Sequence, residues 1–225
     1  MAQHTDRRYE EDLARLRQLV LEMGGLVESQ IADSVRALAS NDAALARSTI
    51  ERDHEVNRYD VEIDEECLRL LALHQPAARD LRLITTGLKI TTDLERIGDL
   101  AVNVCERVVE RSGKGQEVRI DLPRMADMAR GMLRESLDAF VREDAELALK
   151  VCRDDDAIDA LHGAMFREVI GWMGADPGAV VDGTGQIFVS KYLERIADHA
   201  TNIAEMVVFM VKGKSIRHLS VPTTI

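Results

Sequence analysis

Two stretches of this chain carry oxygen donors at helical spacing. Glu95, Asp99, Asn103 and Glu106 follow at steps of four, four and three residues, and Glu194, Asp198, Asn202 and Glu205 repeat the pattern. In an α-helix such steps keep side chains on one face. Each stretch therefore presents a stripe of three carboxylates and one amide. Like charges four residues apart cost a helix about 0.2–0.5 kcal/mol per pair. A helix gains nothing by making that arrangement twice, so something outside it should offset the repulsion. A hard cation is the natural candidate, and carboxylate and amide oxygens suit Mg, Ca, Mn and Fe. A second reading stands beside this one. Arg96 lies three residues after Asp93 and three before Asp99, and Arg195 lies three before Asp198. Ion pairs from these arginines neutralise part of each stripe, and acidic helix faces are most often simply solvated.

Other chemistries find weaker footing. A ferritin-like di-iron centre needs two Glu-x-x-His motifs on facing helices. Glu51 with His54 supplies one, and Asp159 with His162 is a poorer match for the other. The six histidines are scattered, and the sulfur or multi-histidine sets usual for zinc are missing. Residues 178–184 are spaced like a phosphate-binding loop but lack its lysine, and no Gly-x-Ser-x-Gly elbow occurs. Asp154, Asp155 and Asp156 read as a solvated turn of helix. His199 sits about 100° off the second stripe, so packing or solvation suits it better than ligation. Trp172 and the scattered methionines read as core.

The elements that hold the stripes are helices. The 225 residues are 31% charged and 4% aromatic, with only four prolines, a composition that favours long helices over strands. Leu13, Leu16, Val20, Val27, Ile31, Val35 and Leu38 keep three- and four-residue spacing, which predicts a helix over 8–39 with Gly24-Gly25 weakening its middle. A second helix is predicted from Asn41, as N-cap, to residue 73, and a third from Pro76 to residue 110. Residues 112–122 read as a linker. Three more helices follow, over 123–141, 143–172 and 177–211, with Gly183 and Gly185 blurring the start of the last. Residues 213–225 form a loose tail. The expected domains are 8–111 and 121–212.

These halves are related. Residues 94–106 and 193–205 share eight identities in thirteen positions, Asn41-Asp42-Ala43 aligns with Glu143-Asp144-Ala145, and Asp53 falls on Asp155. Pro76 and Pro177 each open the helix that carries a stripe. The net charge of −11 argues against binding to nucleic acid or anionic lipid. Cys67, Cys105 and Cys152 are odd in number and lie within helical runs, as reduced thiols of a cytosolic protein do. The polar N-terminus carries no leader-like apolar core, and no apolar run approaches the roughly 20 residues of a membrane span.

Leu94-Glu95-Arg96-Ile97-Gly98-Asp99 with Asn103, its copy Leu193-Glu194-Arg195-Ile196-Ala197-Asp198 with Asn202, and the segment Gln75-Pro76-Ala77-Ala78-Arg79-Asp80-Leu81-Arg82 resemble the PhoU family over about residues 10–212. The resemblance implies two tandem three-helix bundles related by a pseudo-two-fold. It implies surface metal sites, of iron, zinc or another divalent ion such as manganese, at Glu95 with Asp99 and Glu194 with Asp198. Asn103 and Asn202 would be neighbours, and Asp53 and Asp155 further ligands. It also implies a cytoplasmic, often dimeric, non-enzymatic adaptor that restrains a phosphate ABC transporter and keeps a membrane sensor histidine kinase in its signal-off state. The glycine-containing stretch 176–185 departs from the family pattern, and no phosphate-binding cluster is visible.

Overall fold

The computed structural model describes residues 2–111 and 120–216, with side chains from residue 7 onward. Helix α1 (Ala2–Ser40) buries Leu13, Leu16, Val20, Met23, Val27, Ile31, Val35 and Leu38 along one stripe. It runs unbroken through Gly24-Gly25. Leu137 of a later helix occupies the space that a Cβ on Gly24 would take, so this glycine serves close helix packing.

The turn after α1 corrects the expected cap. Asn41 adopts the left-handed conformation (φ 52) and closes α1, a role its short polar side chain tolerates. The N-cap is Asp42, whose carboxylate accepts from the Ala44 and Leu45 amides, each at 3.0 Å. The second repeat does the same. Glu143 is left-handed (φ 53), not helical as expected, and Asp144 accepts from the Glu146 and Leu147 amides at 3.0 Å. Buried Ser34 and Ser136, one repeat apart, each bond the carbonyl three residues back, at 2.9 and 2.8 Å.

The expected second helix is two, α2 (Ala43–Glu51) and α3 (Asp53–His74), broken at Arg52 (φ −72, ψ −9). There the Glu55 amide takes the carbonyl three residues back rather than four, at 3.0 Å, a 3₁₀-type tightening of the chain. The guanidinium of Arg52 pairs with Asp33 of α1. Left-handed Gln75 ends α3, and α4 runs over Ala78–Glu110. Pro76 therefore precedes α4 instead of opening it.

Helix α5 (Leu122–Arg142) is capped by Asp121, which accepts from the Arg124 amide at 3.1 Å. Helix α6 spans Ala145–Ala175, passing the expected stop at Trp172. Pro177–Ala179 form a 3₁₀ turn leading into α7 (Val180–Lys212). Gly183 and Gly185 lie inside α7 and do not delay it. A Cβ on Gly183 would come within 2.6 Å of Met173 Cγ on α6, so this glycine too marks a close approach. Gly213 (φ 68) closes α7. Most of the expected linker (112–119) and tail (217–225) lies outside the described residues.

In the first unit α1 and α3 pack on α4, and in the second α5 and α6 pack on α7. Across the units α1 meets α5 and α4 meets α7. Repeat-equivalent helices thus face one another, as a two-fold relation requires, and both units share one hydrophobic core. The fold is all-α, two tandem three-helix units with the first unit's middle helix broken. All three cysteines are free, and burial pushes each thiol up to about 12, which leaves them protonated and inert at neutral pH.

Candidate cation faces

Asp53 opens α3 directly after the break at Arg52 and lies beside Gly98 of α4. Gln30 of α1 donates from Nε2 to Asp53 Oδ1 at 3.3 Å, and Asn57 donates to Oδ2 at 3.2 Å. Gly98 of α4 lies against this group. A Cβ there would stand 3.3 Å from both Asp53 Oδ1 and Gln30 Oε1. Glu95 and Asp99 flank Gly98 along α4. Burial raises the pKa of Glu95 first, and the charges of Asp99, Asp60 and Asp53 add to that, while Arg96 opposes them. Four carboxylates from α3 and α4 therefore share one field. Arg96 offers partial relief, with Nη1 3.6 Å from Asp99 Oδ2 and Nε 3.5 Å from Glu95 Oε2. Asn103 continues the stripe at a partly exposed position, and Glu106 points to solvent.

The second face is built from α6 and α7. Burial, then Asp198 and Asp159, push Asp155 up to about 6. The Asp198 carboxyl is also raised, by desolvation and then by Glu194, against Lys191 and His199. Lys191 Nζ sits 2.6 Å from Glu194 Oε1, the relief that Arg96 gives on the first face. Asn202 belongs to a different contact. Its Nδ2 donates to Asp93 Oδ1 of α4 at 3.4 Å, and His199 Nδ1 lies 2.7 Å from the same oxygen. His199 and Asn202 thus tie α7 to α4 across the two units. The Glu51-x-x-His54 pair of the di-iron alternative is solvent-exposed.

Among the described residues no three of His, Cys, Asp and Glu converge into a closed ligand set; the carboxylates form open faces. On the first face the chemistry nevertheless fits a hard cation. Its donors are all oxygen, Gln30 is fully buried with Oε1 lacking a partner, and the missing side chain of Gly98 leaves a cradle. Asn57 and Asp60 leave no mark in the residue spacing, and Asp159 stands out there only as the partner of His162 in the weak di-iron match. Gln30 had a signal: a lone amide between Val27 and Ile31 on the apolar stripe of α1.

The family model described as the PhoU domain matches residues 20–108 and again 122–207. The chain belongs to the PhoU family. A Pseudomonas putida protein with the name phosphate-specific transport system accessory protein PhoU homolog is 40% identical over 221 residues, 97% of this chain and 86% of its own length. The Caulobacter vibrioides homolog of the same name is 38% identical over 96% of this chain and 95% of its own. Among solved structures, PhoU from Pseudomonas aeruginosa superposes with a TM-score of 0.87 at 41% identity, covering 92% of this chain and 100% of that one. The phosphate transport system regulatory protein PhoU from Streptococcus pneumoniae gives 0.86 at 31% identity, over 92% and 98%. The two matched segments are the two repeats, so each acidic face falls within its own PhoU domain.

Proposed function

We propose that this chain is a cytoplasmic, non-enzymatic negative regulator of phosphate uptake, acting as an adaptor between a phosphate ABC transporter and the sensor histidine kinase of a phosphate-responsive two-component system. The observation that carries this reading is the match over both repeats and 97% of the chain to relatives whose name is phosphate-specific transport system accessory protein. No helix among the described residues is long and apolar enough to cross a membrane, and the reading gives the chain a peripheral place through its partners. Exposed Leu68 and Leu81 flank the α3–α4 turn, and exposed Ile170 and Val180 take the equivalent places in the second repeat. They offer apolar surface for protein partners or for a second copy of the chain. The acidic faces are read as sites for iron, zinc or manganese, held by Glu95, Asp99 and Asp53 in one unit and Glu194, Asp198 and Asp155 in the other. A bound cation would neutralise the carboxylates and fix α3 against α4, and α6 against α7. A metal-free acidic docking face is the second reading, favoured by the ion pairs of Arg96 and Lys191.

The test is genetic and biochemical. Deleting the gene should raise phosphate-starvation reporter expression in phosphate-replete medium and increase labelled phosphate uptake, and the wild-type chain should reverse both. The tagged protein should retain the transporter ATPase and the kinase on affinity resin. Unchanged reporter and uptake after deletion would sink the proposal.

A further inference from the structure

The two acidic faces are not copies of each other. Under the register that places Asp53 on Asp155 and Asp99 on Asp198, Gln30 falls on Met132, Asn57 on Asp159 and Gly98 on Ala197. The first face thus rests on two amides and a glycine. The second has a thioether, a further carboxylate and a methyl group at the same positions. Gln30 is fully buried, its Nε2 holds Asp53 Oδ1 at 3.3 Å, and its Oε1 has no partner. A buried oxygen without a donor is costly unless something else occupies it. The Oε1 points to the cradle beside Gly98, where a Cβ would be only 3.3 Å away. Met132 is likewise buried, but it has no oxygen to offer.

We propose that Gln30 is the cation-positioning residue of the first face, and that the two faces are therefore unequal sites. Its Nε2 fixes the Asp53 carboxylate. Its Oε1 supplies a neutral oxygen to a hard divalent cation, directly or through a water of its hydration shell. Gly98 keeps the approach open. This rests on the cation reading of the faces given above.

The test is manganese binding to the full-length protein after chelation, followed by calorimetry and by the spin-resonance signal of free manganese. The Asp198→Ala variant leaves the first face intact, and Asp99→Ala leaves the second. In the Asp198→Ala background, Gln30→Met should weaken manganese binding at least tenfold, within the usual effect of removing a residue that orients ligands. Gly98→Ala should weaken it in the same direction. In the Asp99→Ala background Gln30→Met should change nothing. Both substitutions install the residue that the other repeat carries in an equivalent helix, so the packing can accept them. The metal-free melting temperature of Gln30→Met should change little, because removal of a buried partnerless oxygen offsets the lost Nε2 bond to Asp53. Unchanged affinity in the Asp198→Ala background, equal weakening in both backgrounds, or a loss of metal-free stability that parallels the loss of affinity would overturn the role of Gln30. Absence of manganese binding in both backgrounds before Gln30 is touched would instead overturn the cation reading itself.

Discussion

His199 of α7 reaches across the seam between the repeats to Asp93 of α4, with its Nδ1 2.7 Å from Oδ1. Asn202 donates to the same carboxylate oxygen at 3.4 Å. Both partners of the closer contact are largely shielded, with side chains 18% and 15% exposed. Removing Asp93 strips His199 of its acceptor, and removing His199 leaves Asp93 with only the longer contact to Asn202, at a cost of about 1–3 kcal/mol. Urea unfolding of His199→Ala, Asp93→Ala and the double variant at pH 7 should therefore give non-additive losses, with a coupling above about 0.5 kcal/mol. Additive losses would mean that the contact contributes little to joining the units.

Asp155 gives a pH-dependent prediction. Its folded pKa of about 6 exceeds the ordinary 3.8, so the native state holds this proton more tightly than the unfolded chain does. Stability is lost as pH rises from the unfolded value through the folded one, and the full penalty acts above about pH 6. Asp155→Asn should stabilise the chelated protein at pH 7.5 by about 1–2 kcal/mol, allowing for partial solvent screening. Near pH 4 the gain should almost vanish. Thermal melts at the two pH values check this, and an equal gain at both would contradict it.

Gly24 and Gly25 should respond oppositely to the same change. Leu137 fills the space beside Gly24, whereas nothing lies within 4 Å of a Cβ on Gly25. Gly25→Ala should stabilise α1 by about 0.5–1 kcal/mol through helix propensity. Gly24→Ala should destabilise by about 1–3 kcal/mol through overpacking. Two melting curves decide it.

For the cation faces, mass spectrometry of gently purified protein should find metal in the wild type and little in the Asp99→Ala/Asp198→Ala double variant. If neither protein takes up iron, manganese or zinc on dialysis, the faces are docking surfaces only. In that case the double variant should melt no lower than wild type, since it relieves like-charge repulsion of about 0.2–0.5 kcal/mol per helical pair.

The helical fold and the duplication could be read in the sequence because both leave periodic marks. The stripe of α1 and the thirteen-residue motif survive any uncertainty about where helices end. Ends depend on tertiary context. Asn41 looked like the cap, yet Asn41 and Asp42 share the turn, one left-handed and one capping. Glu143, a poor candidate for left-handed backbone, takes that conformation in contact with Arg17 of α1, 3.0 Å away, and with Arg79 of α4. Neither arginine is near it in sequence. The candidate site was half legible. Glu95, Asp99, Glu194 and Asp198 announce themselves by spacing along single helices. Gln30 and Asn57 join the first face only because α1 and α3 pack beside α4, and Asn202, regular in its spacing, is drawn off to Asp93 by the neighbouring unit.

The seam itself carries a further meaning. Its contacts join α1 to α5 and α4 to α7, each helix meeting its own counterpart, which is how two identical subunits meet in a homodimer. Covalent continuity replaces the second subunit, so this association is intramolecular and insensitive to dilution. A single repeat released on its own would expose the faces around Gly24 and Asp93 to water and would have to recruit a second copy to bury them. The tandem chain is, in this sense, a dimer that cannot dissociate.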